Sequence, residues 1–327
     1  MQIRETNAGT SSQPTPGEAL PTLGQAANEA IPSRSRRIKL GIAFTGLLVA
    51  CFIVPLFSLF AYAVRTELHS HILLIPFISG YLLYLRRAEL PRQYWSSPAI
   101  GSVFAILGTG AVGLAMTLQR SAQPLSQNDH LALMAFGFVS FLAAGGCFLL
   151  GSRWMAAAAF PLAFLIFLVP LPDAAVNLLE NASMLASTEA ASLFFDGTGT
   201  PVLRSGTVFE LPGITIRVAQ ECSGIRSSWV LFITGLLAAN MFLRSNWRRG
   251  LFVAFVIPLG IIRNGFRVWV IGTLCVHFGP QMIHSVIHKR GGPLFFALSL
   301  IPLFLVLWAL RRQEQRATRN AIVSVCR

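Results

Sequence analysis

Apolar residues fall in long blocks separated by short, basic breaks, and the length of those blocks decides the fold class. A helix needs roughly 20 apolar residues to cross the hydrocarbon of a bilayer. Eight blocks reach or approach that length: about 40–64, 71–85, 98–118, 131–151, 154–171, 223–243, 250–278 and 292–310. The second is short. Pro76, Pro161, Pro170, Pro258 and Pro302 interrupt several blocks, which membrane helices tolerate better than soluble ones. The pattern predicts an all-α polytopic membrane protein with about eight transmembrane helices.

Two stretches depart from it. Residues 1–33 are rich in Pro, Ser, Thr, Gly and Ala, show no periodicity and read as a disordered tail. No apolar core follows a basic start there, so the tail is not a signal peptide. The longest loop, 172–221, has two parts. From Ala174 to Phe195 apolar residues recur at helical spacing, which predicts an amphipathic helix on the membrane surface. From Val202 to Val218 apolar and polar residues alternate around Pro212-Gly213, a β-hairpin signal. The chain thus divides into a basic tail (1–38), a transmembrane domain (39–310) and a second basic tail (311–327).

Charge orients the spans. Basic residues concentrate on the cytoplasmic side of membrane proteins. Arg34, Arg36, Arg37 and Lys39 precede the first block, Arg86, Arg87 and Arg92 follow the second, and Arg153 separates the fourth and fifth. Arg244, Arg248 and Arg249 follow the sixth, and Arg311, Arg312, Arg316 and Arg319 the eighth. Eight alternating spans put all of these, with both termini, on one side. The loop 172–221 and all six histidines (His69, His71, His130, His277, His284, His288) then lie at or near the outer face.

Composition agrees. The 327 residues are 54% hydrophobic and 12% charged, against about 25% charged in soluble domains. The net charge of +13 would suggest nucleic acid on a soluble protein. Here the arginines flank apolar blocks, so the bilayer is the expected partner and nucleic acid is not. The five cysteines show no paired spacing, which argues against a disulfide framework.

The chemistry gathers at the start of the sixth block, Glu221-Cys222-Ser223-Gly224-Ile225-Arg226. The Cys222 thiol and Arg226 lie four residues apart, one helical turn, so both side chains share a face. A neighbouring cation favours the reactive thiolate. Arg263 and Arg267, one turn apart with Asn264 between, fall inside the seventh block, where charge is costly and usually functional. No acid within a span neutralises these three arginines, and together they suit an anionic group such as a thiolate or a developing oxyanion. His284 and His288 follow on the outer side. Thiol, imidazole and guanidinium form a workable set for acyl transfer. His284 and His288, spaced i, i+4, with His69 and His71 on the same side, also make a zinc site conceivable. No HExxH pattern accompanies them. Each arginine also has a structural alternative: Arg226 snorkelling to headgroups, Arg263 and Arg267 holding helices together.

Three segments resemble one family in order. Ala219-Gln-Glu-Cys222-Ser-Gly-Ile-Arg226-Ser after the hairpin, Pro258-Leu-Gly-Ile-Ile-Arg-Asn264-Gly-Phe-Arg267, and His288-Lys-Arg-Gly291 before an apolar span resemble the exosortase/archaeosortase family. The second span, from His69 through Arg86-Arg87, resembles its N-terminal region, and the likeness covers about residues 40–310. The resemblance implies a cysteine transpeptidase of the bacterial inner membrane that needs no cofactor or metal. Its substrates would be exported proteins ending in a short motif (PEP-like in the best-known group), a transmembrane helix and a basic cluster. Cleavage through a thioester would transfer them to an acceptor the sequence does not name. The implied triad is Cys222 as nucleophile, Arg267 as oxyanion stabiliser and His288 as general acid and base. Arg226, Arg263, Asn264 and His284 are accessory, with His284 a rival to His288. On a straight 250–278 helix Arg267 lies about 16 Å from the outer end at 1.5 Å per residue. The helix must then end earlier, near Gly272, or the site must be recessed. Two other readings use the same arginines: a transporter of an anionic substrate and a glycan ligase, neither of which needs the thiol.

Overall fold

The computed structural model describes residues 34–91, 95–220, 223–279, 281–282 and 291–325. Helices dominate because the apolar blocks leave the backbone no partner but itself. Six segments are long and apolar enough to cross a membrane, and two bent pairs raise that to as many as eight. The protein is therefore a multi-pass membrane protein, but two of the expected spans are not straight rods.

The first is broken. Helix α1 (Arg34–Cys51) and helix α2 (Ile53–Arg65) meet at Phe52 with a bend of 71°. Pro55 explains the break, since its ring clashes with the carbonyl four residues earlier, at Cys51, and it donates no hydrogen bond. That proline was legible in the sequence. A 3-10 turn (Glu67–Leu73) then leads into α3 (Ile75–Leu85), and together they give one candidate span. Helices α4 (Pro98–Gln119) and α5 (Gln127–Leu149) are continuous. The predicted fifth span, 154–171, is instead a chain of short pieces: α6 (Ser152–Ala157), α7 (Ala159–Phe164) and a 3-10 turn (Leu165–Leu168). It turns by 91° into the next helix across a break containing Pro170 and Pro172. Pro258 and Pro302, by contrast, sit inside unbroken helices.

The long loop folds into a cap. Helix α8 (Asp173–Gly197) is followed by β1 (Leu203–Ser205), β2 (Val208–Leu211) and β3 (Ile214–Arg217). The expected hairpin is β2–β3, turning at Pro212-Gly213, where Gly213 takes φ +82° as a type II turn requires. A second turn at Gly206, φ +61°, adds β1 and makes an antiparallel three-stranded sheet. A bidentate pair between Arg204 of β1 and Glu189 of α8, at 2.5 and 2.8 Å, ties sheet to helix. It raises the Arg204 pKa, chiefly through the hydrogen bonds donated to Glu189.

The last three helices are α9 (Ile225–Phe242), α10 (Asn246–Phe278) and α11 (Gly292–Val325). The 33 residues of α10 span about 50 Å at 1.5 Å each, against about 30 Å of hydrocarbon. The excess lies at its C-terminal end, which the cap covers. Phe195, Phe209, Leu211, Ile216, Val218 and Val268 form a buried cluster there. Glycines set the approach. A Cβ on Gly265 would lie 2.5 Å from the Ala190 Cβ and 2.9 Å from the Ala191 backbone N, and one on Gly272 would lie 2.6 Å from the Phe195 ring. Gly265→Ala therefore separates α8 from α10 and destabilises the protein by about 1–3 kcal/mol, because backbone cannot rotate aside. Thermal aggregation of the detergent-purified protein measures this. Gly250→Ala, with nothing within 4 Å of its Cβ, is the control and leaves the midpoint unchanged or slightly raised.

Candidate active site

The site forms where α9 begins. Gly224 adopts φ +72°, a left-handed conformation natural only to glycine, and Ile225 is the first helical residue. Cys222 therefore does not precede Arg226 by one helical turn, because Ser223 and Gly224 between them are not helical. The four-residue spacing therefore does not put the two side chains on one helical face. Arg226, on the first turn of α9, is exposed.

Ser223 and Gly224 are pinned from two sides. The Ser183 hydroxyl of α8 donates to the Ser223 carbonyl at 2.8 Å, and Ser223 itself is 1% exposed. Gln220, just upstream, donates to Asn181 of α8 at 2.6 Å. From α10, Arg263 Nη2 donates to the Gly224 carbonyl at 3.2 Å and to the Ser228 hydroxyl at 3.0 Å. Asn264, 2% exposed, fits against Gly224 so closely that a Cβ there would lie 2.6 Å from its Oδ1. Gly260, one turn earlier on α10, leaves room for Ser228; its Cβ would lie 2.8 Å from that hydroxyl. Gly260, Arg263 and Asn264 thus form one face of α10 against the N-terminus of α9.

These contacts revise the expectation of three unneutralised arginines. Arg263, 7% exposed, is held by neutral oxygens rather than by an acid, while its Nη1 has no partner among the described residues. A buried cation spread over carbonyl and hydroxyl acceptors costs less than an orphan one and retains its charge. Arg267, one turn further, is half-buried. Arg226, Asn264 and Arg267 each have a further interaction partner. Cys222, His284 and His288 lie outside the described residues.

Helix α10 does not end near Gly272 but runs on to Phe278. Counting about 20 residues of hydrocarbon from the basic start at Arg248-Arg249 puts the far boundary near Trp269, an aromatic suited to that interface. The Trp269 indole donates to Thr198 at 3.1 Å, at the end of α8. Arg267 then sits just inside that boundary, and the remaining turns of α10 are sheathed by the cap.

A second polar group centres on His69. His69, in the 3-10 turn before α3, is 4% exposed, and neither ring nitrogen has a partner among the described residues. Its ring lies 5.5 Å from that of Tyr62 and 6.5 Å from that of His71, and Asp173 is near enough to act on it electrostatically. Asn128 donates to Asp173 and to the Leu171 carbonyl, and Asp129 accepts from the Asp173 amide. Among the described residues no three metal-ligating side chains converge. A cavity of about 910 Å³ bounded by α1, α3 and α5 is almost wholly apolar, carries Arg87 at its rim and includes no residue of the Arg263 cluster.

A family model described as transmembrane exosortase matches residues 63–305. That stretch contains α10, the start of α9 and the whole cap. No curated protein and no solved structure matches the chain.

Proposed function

The chain belongs to the transmembrane exosortase family, and from that premise we propose that it is a membrane-embedded cysteine transpeptidase of the bacterial inner membrane. The observation that carries the reading is the clamp on Gly224. Two residues after Cys222, the backbone carbonyl accepts from Arg263 at 3.2 Å, and Asn264 packs against the same glycine. A nucleophile next to a rigid, cationic, largely dehydrated wall has the setting acyl transfer requires.

The reaction proceeds in two halves. The Cys222 thiolate attacks the scissile carbonyl, the C–S bond forms, and the oxyanion is stabilised by Arg267, with Arg226 and Arg263 adding positive potential. The C–N bond then breaks as His288 gives its proton to the leaving amine, which remains on the substrate's transmembrane helix and basic tail. In the second half an acceptor carrying an N–H or O–H group attacks the thioester. His288 takes its proton, the new bond forms and the thiolate is regenerated. Water in place of the acceptor gives hydrolysis. Asn264 positions the wall, and His284 is the alternative acid–base. Both termini are cytoplasmic, the site opens to the outer face, and the substrates are exported proteins with the three-part C-terminus described above.

Labelling of intact cells with a membrane-impermeant maleimide tests this. Rapid labelling that disappears in Cys222→Ser is the expected result, since the proposed mechanism requires a thiolate that is both exposed and activated. Labelling of Cys222 only after denaturation would mean a buried thiol and would end the proposal.

A further inference from the structure

The sheet has two unlike edges. Pro212 and Gly213 form a two-residue loop, so the flanking pair Leu211–Ile214 exchanges both hydrogen bonds and the pairs then alternate. Ile214 and Ile216 point their N–H and C=O groups at β2, and Thr215 and Arg217 point theirs away. The Val218 amide, next in phase, donates inward to the Thr207 carbonyl at 2.9 Å, as this alternation demands. Ile216 is buried beneath the sheet, whereas Thr215 and Arg217 are exposed. Among the described residues, neither Thr215 nor Arg217 makes a backbone hydrogen bond beyond the sheet. On the far edge β1 presents a single outward residue, Arg204, and its side chain is already committed to Glu189 and to the Gly206 carbonyl. An edge with unpaired N–H and C=O groups is a template for another strand.

We propose that the outer edge of β3 binds the protein substrate by strand addition, with the backbone of Thr215 and Arg217 pairing to an extended segment beside the scissile bond. This rests on the reading of Cys222 as the nucleophile. A peptide carbonyl inside a helix is occupied and shielded, so the segment to be cut must be held extended, and a free strand edge does that through backbone contacts alone. The chain passes from Arg217 to Cys222 in five residues, at most about 18 Å of backbone. The cut therefore falls within about five residues of the paired segment. The occupant is the substrate's extended segment rather than a second copy of this chain, because only β3 of the two edges leads into Cys222.

The test uses the full-length protein in membranes, co-expressed with a secreted reporter ending in a PEP-like motif, a transmembrane helix and a basic cluster. Thr215→Pro removes the outward N–H, a change strand edges accommodate, and Thr215→Val keeps it. Reporter processing is expected to be at least about tenfold lower in Thr215→Pro than in Thr215→Val, from loss of a backbone hydrogen bond and its register. Maleimide labelling of Cys222 stays at the wild-type rate in both. Normal processing by Thr215→Pro overturns the proposal.

A second measurement covers distortion of the sheet. In a Cys222→Ala background, Thr215→Cys is oxidised against single cysteines scanned through the reporter near its motif. Disulfides at every second position, the period of a strand, support strand addition even if Thr215→Pro labels abnormally. No such period, or a disulfide between two copies of this chain without reporter, overturns it. Normal processing by Cys222→Ala would instead sink the nucleophile reading, while the cross-links still report on the edge.

Discussion

Cys222→Ala is expected to abolish processing of a co-expressed substrate, by about three orders of magnitude or more, while the protein accumulates normally in the membrane. The size follows from covalent catalysis. Removing a nucleophile that acts as a unit with its acid–base partner typically forfeits about 10⁴–10⁶ in rate, and what remains comes from binding and oxyanion stabilisation. The normal abundance follows from the fold. The clamp at the start of α9 is made by Ser223, Gly224 and Ser228 with Ser183, Arg263 and Asn264. Accumulation of the uncleaved substrate on an immunoblot is the measurement. The same variant separates the competing readings. A transporter of an anion or a glycan ligase would survive loss of the thiol but not of Arg267. Full processing by Cys222→Ala would therefore favour one of those.

Gly224→Ala carries the second-largest effect, and through geometry alone. At φ +72° an alanine is strained, at a cost of about 1–2 kcal/mol. Its Cβ would also lie 2.6 Å from the Asn264 Oδ1. Asn264 is buried and cannot swing into solvent, so α9 must move from α10 and lengthen the bonds from Arg263. A shift of about 1 Å at a reacting group is worth on the order of 100-fold in rate, and that is the expected loss. Gly213→Ala provides the comparison. It has the same sign of φ, at +82°, but nothing lies within 4 Å of the added Cβ. It therefore isolates backbone strain and keeps processing within about threefold of wild type. If both variants lose activity equally, strain rather than contact with Asn264 governs the site, and the clamp is not the positioning device. Initial processing rates for both variants, normalised to abundance, make the comparison.

Membrane-spanning character, the approximate limits of α4, α5 and α9, the start of α11, the cap helix and the β2–β3 hairpin were all readable from apolar block length, period and the Pro212-Gly213 turn, whereas α11 runs on to Val325, past the expected end at 310. Those features are set locally, because a helix in lipid satisfies its own backbone and a two-residue turn dictates its own register. That Arg263 and Asn264 belong with the start of α9 was also foreseeable, through the ordered motifs that mark the family.

What the sequence left undecided depends on contacts between elements distant in the chain. Bends at Phe52 and at Pro170–Pro172 are invisible to block length, although Pro55 marked the first. The non-helical Ser223-Gly224 junction, which removes the one-turn relation between Cys222 and Arg226, is set by Asn264, 40 positions away in the chain. The role of Arg263 was equally hidden. Sequence counts acids, and none was near, but the partners are a main-chain carbonyl and a serine hydroxyl brought there by the packing of α9 on α10. The continuation of α10 past Gly272 to Phe278 is accompanied by the cap packed on its final turns. Local pattern determines which segments become helix or strand, because that depends on neighbours within a few residues. The satisfaction of a buried charge depends on whatever oxygen the packed structure brings within about 3 Å, and only the tertiary structure decides that.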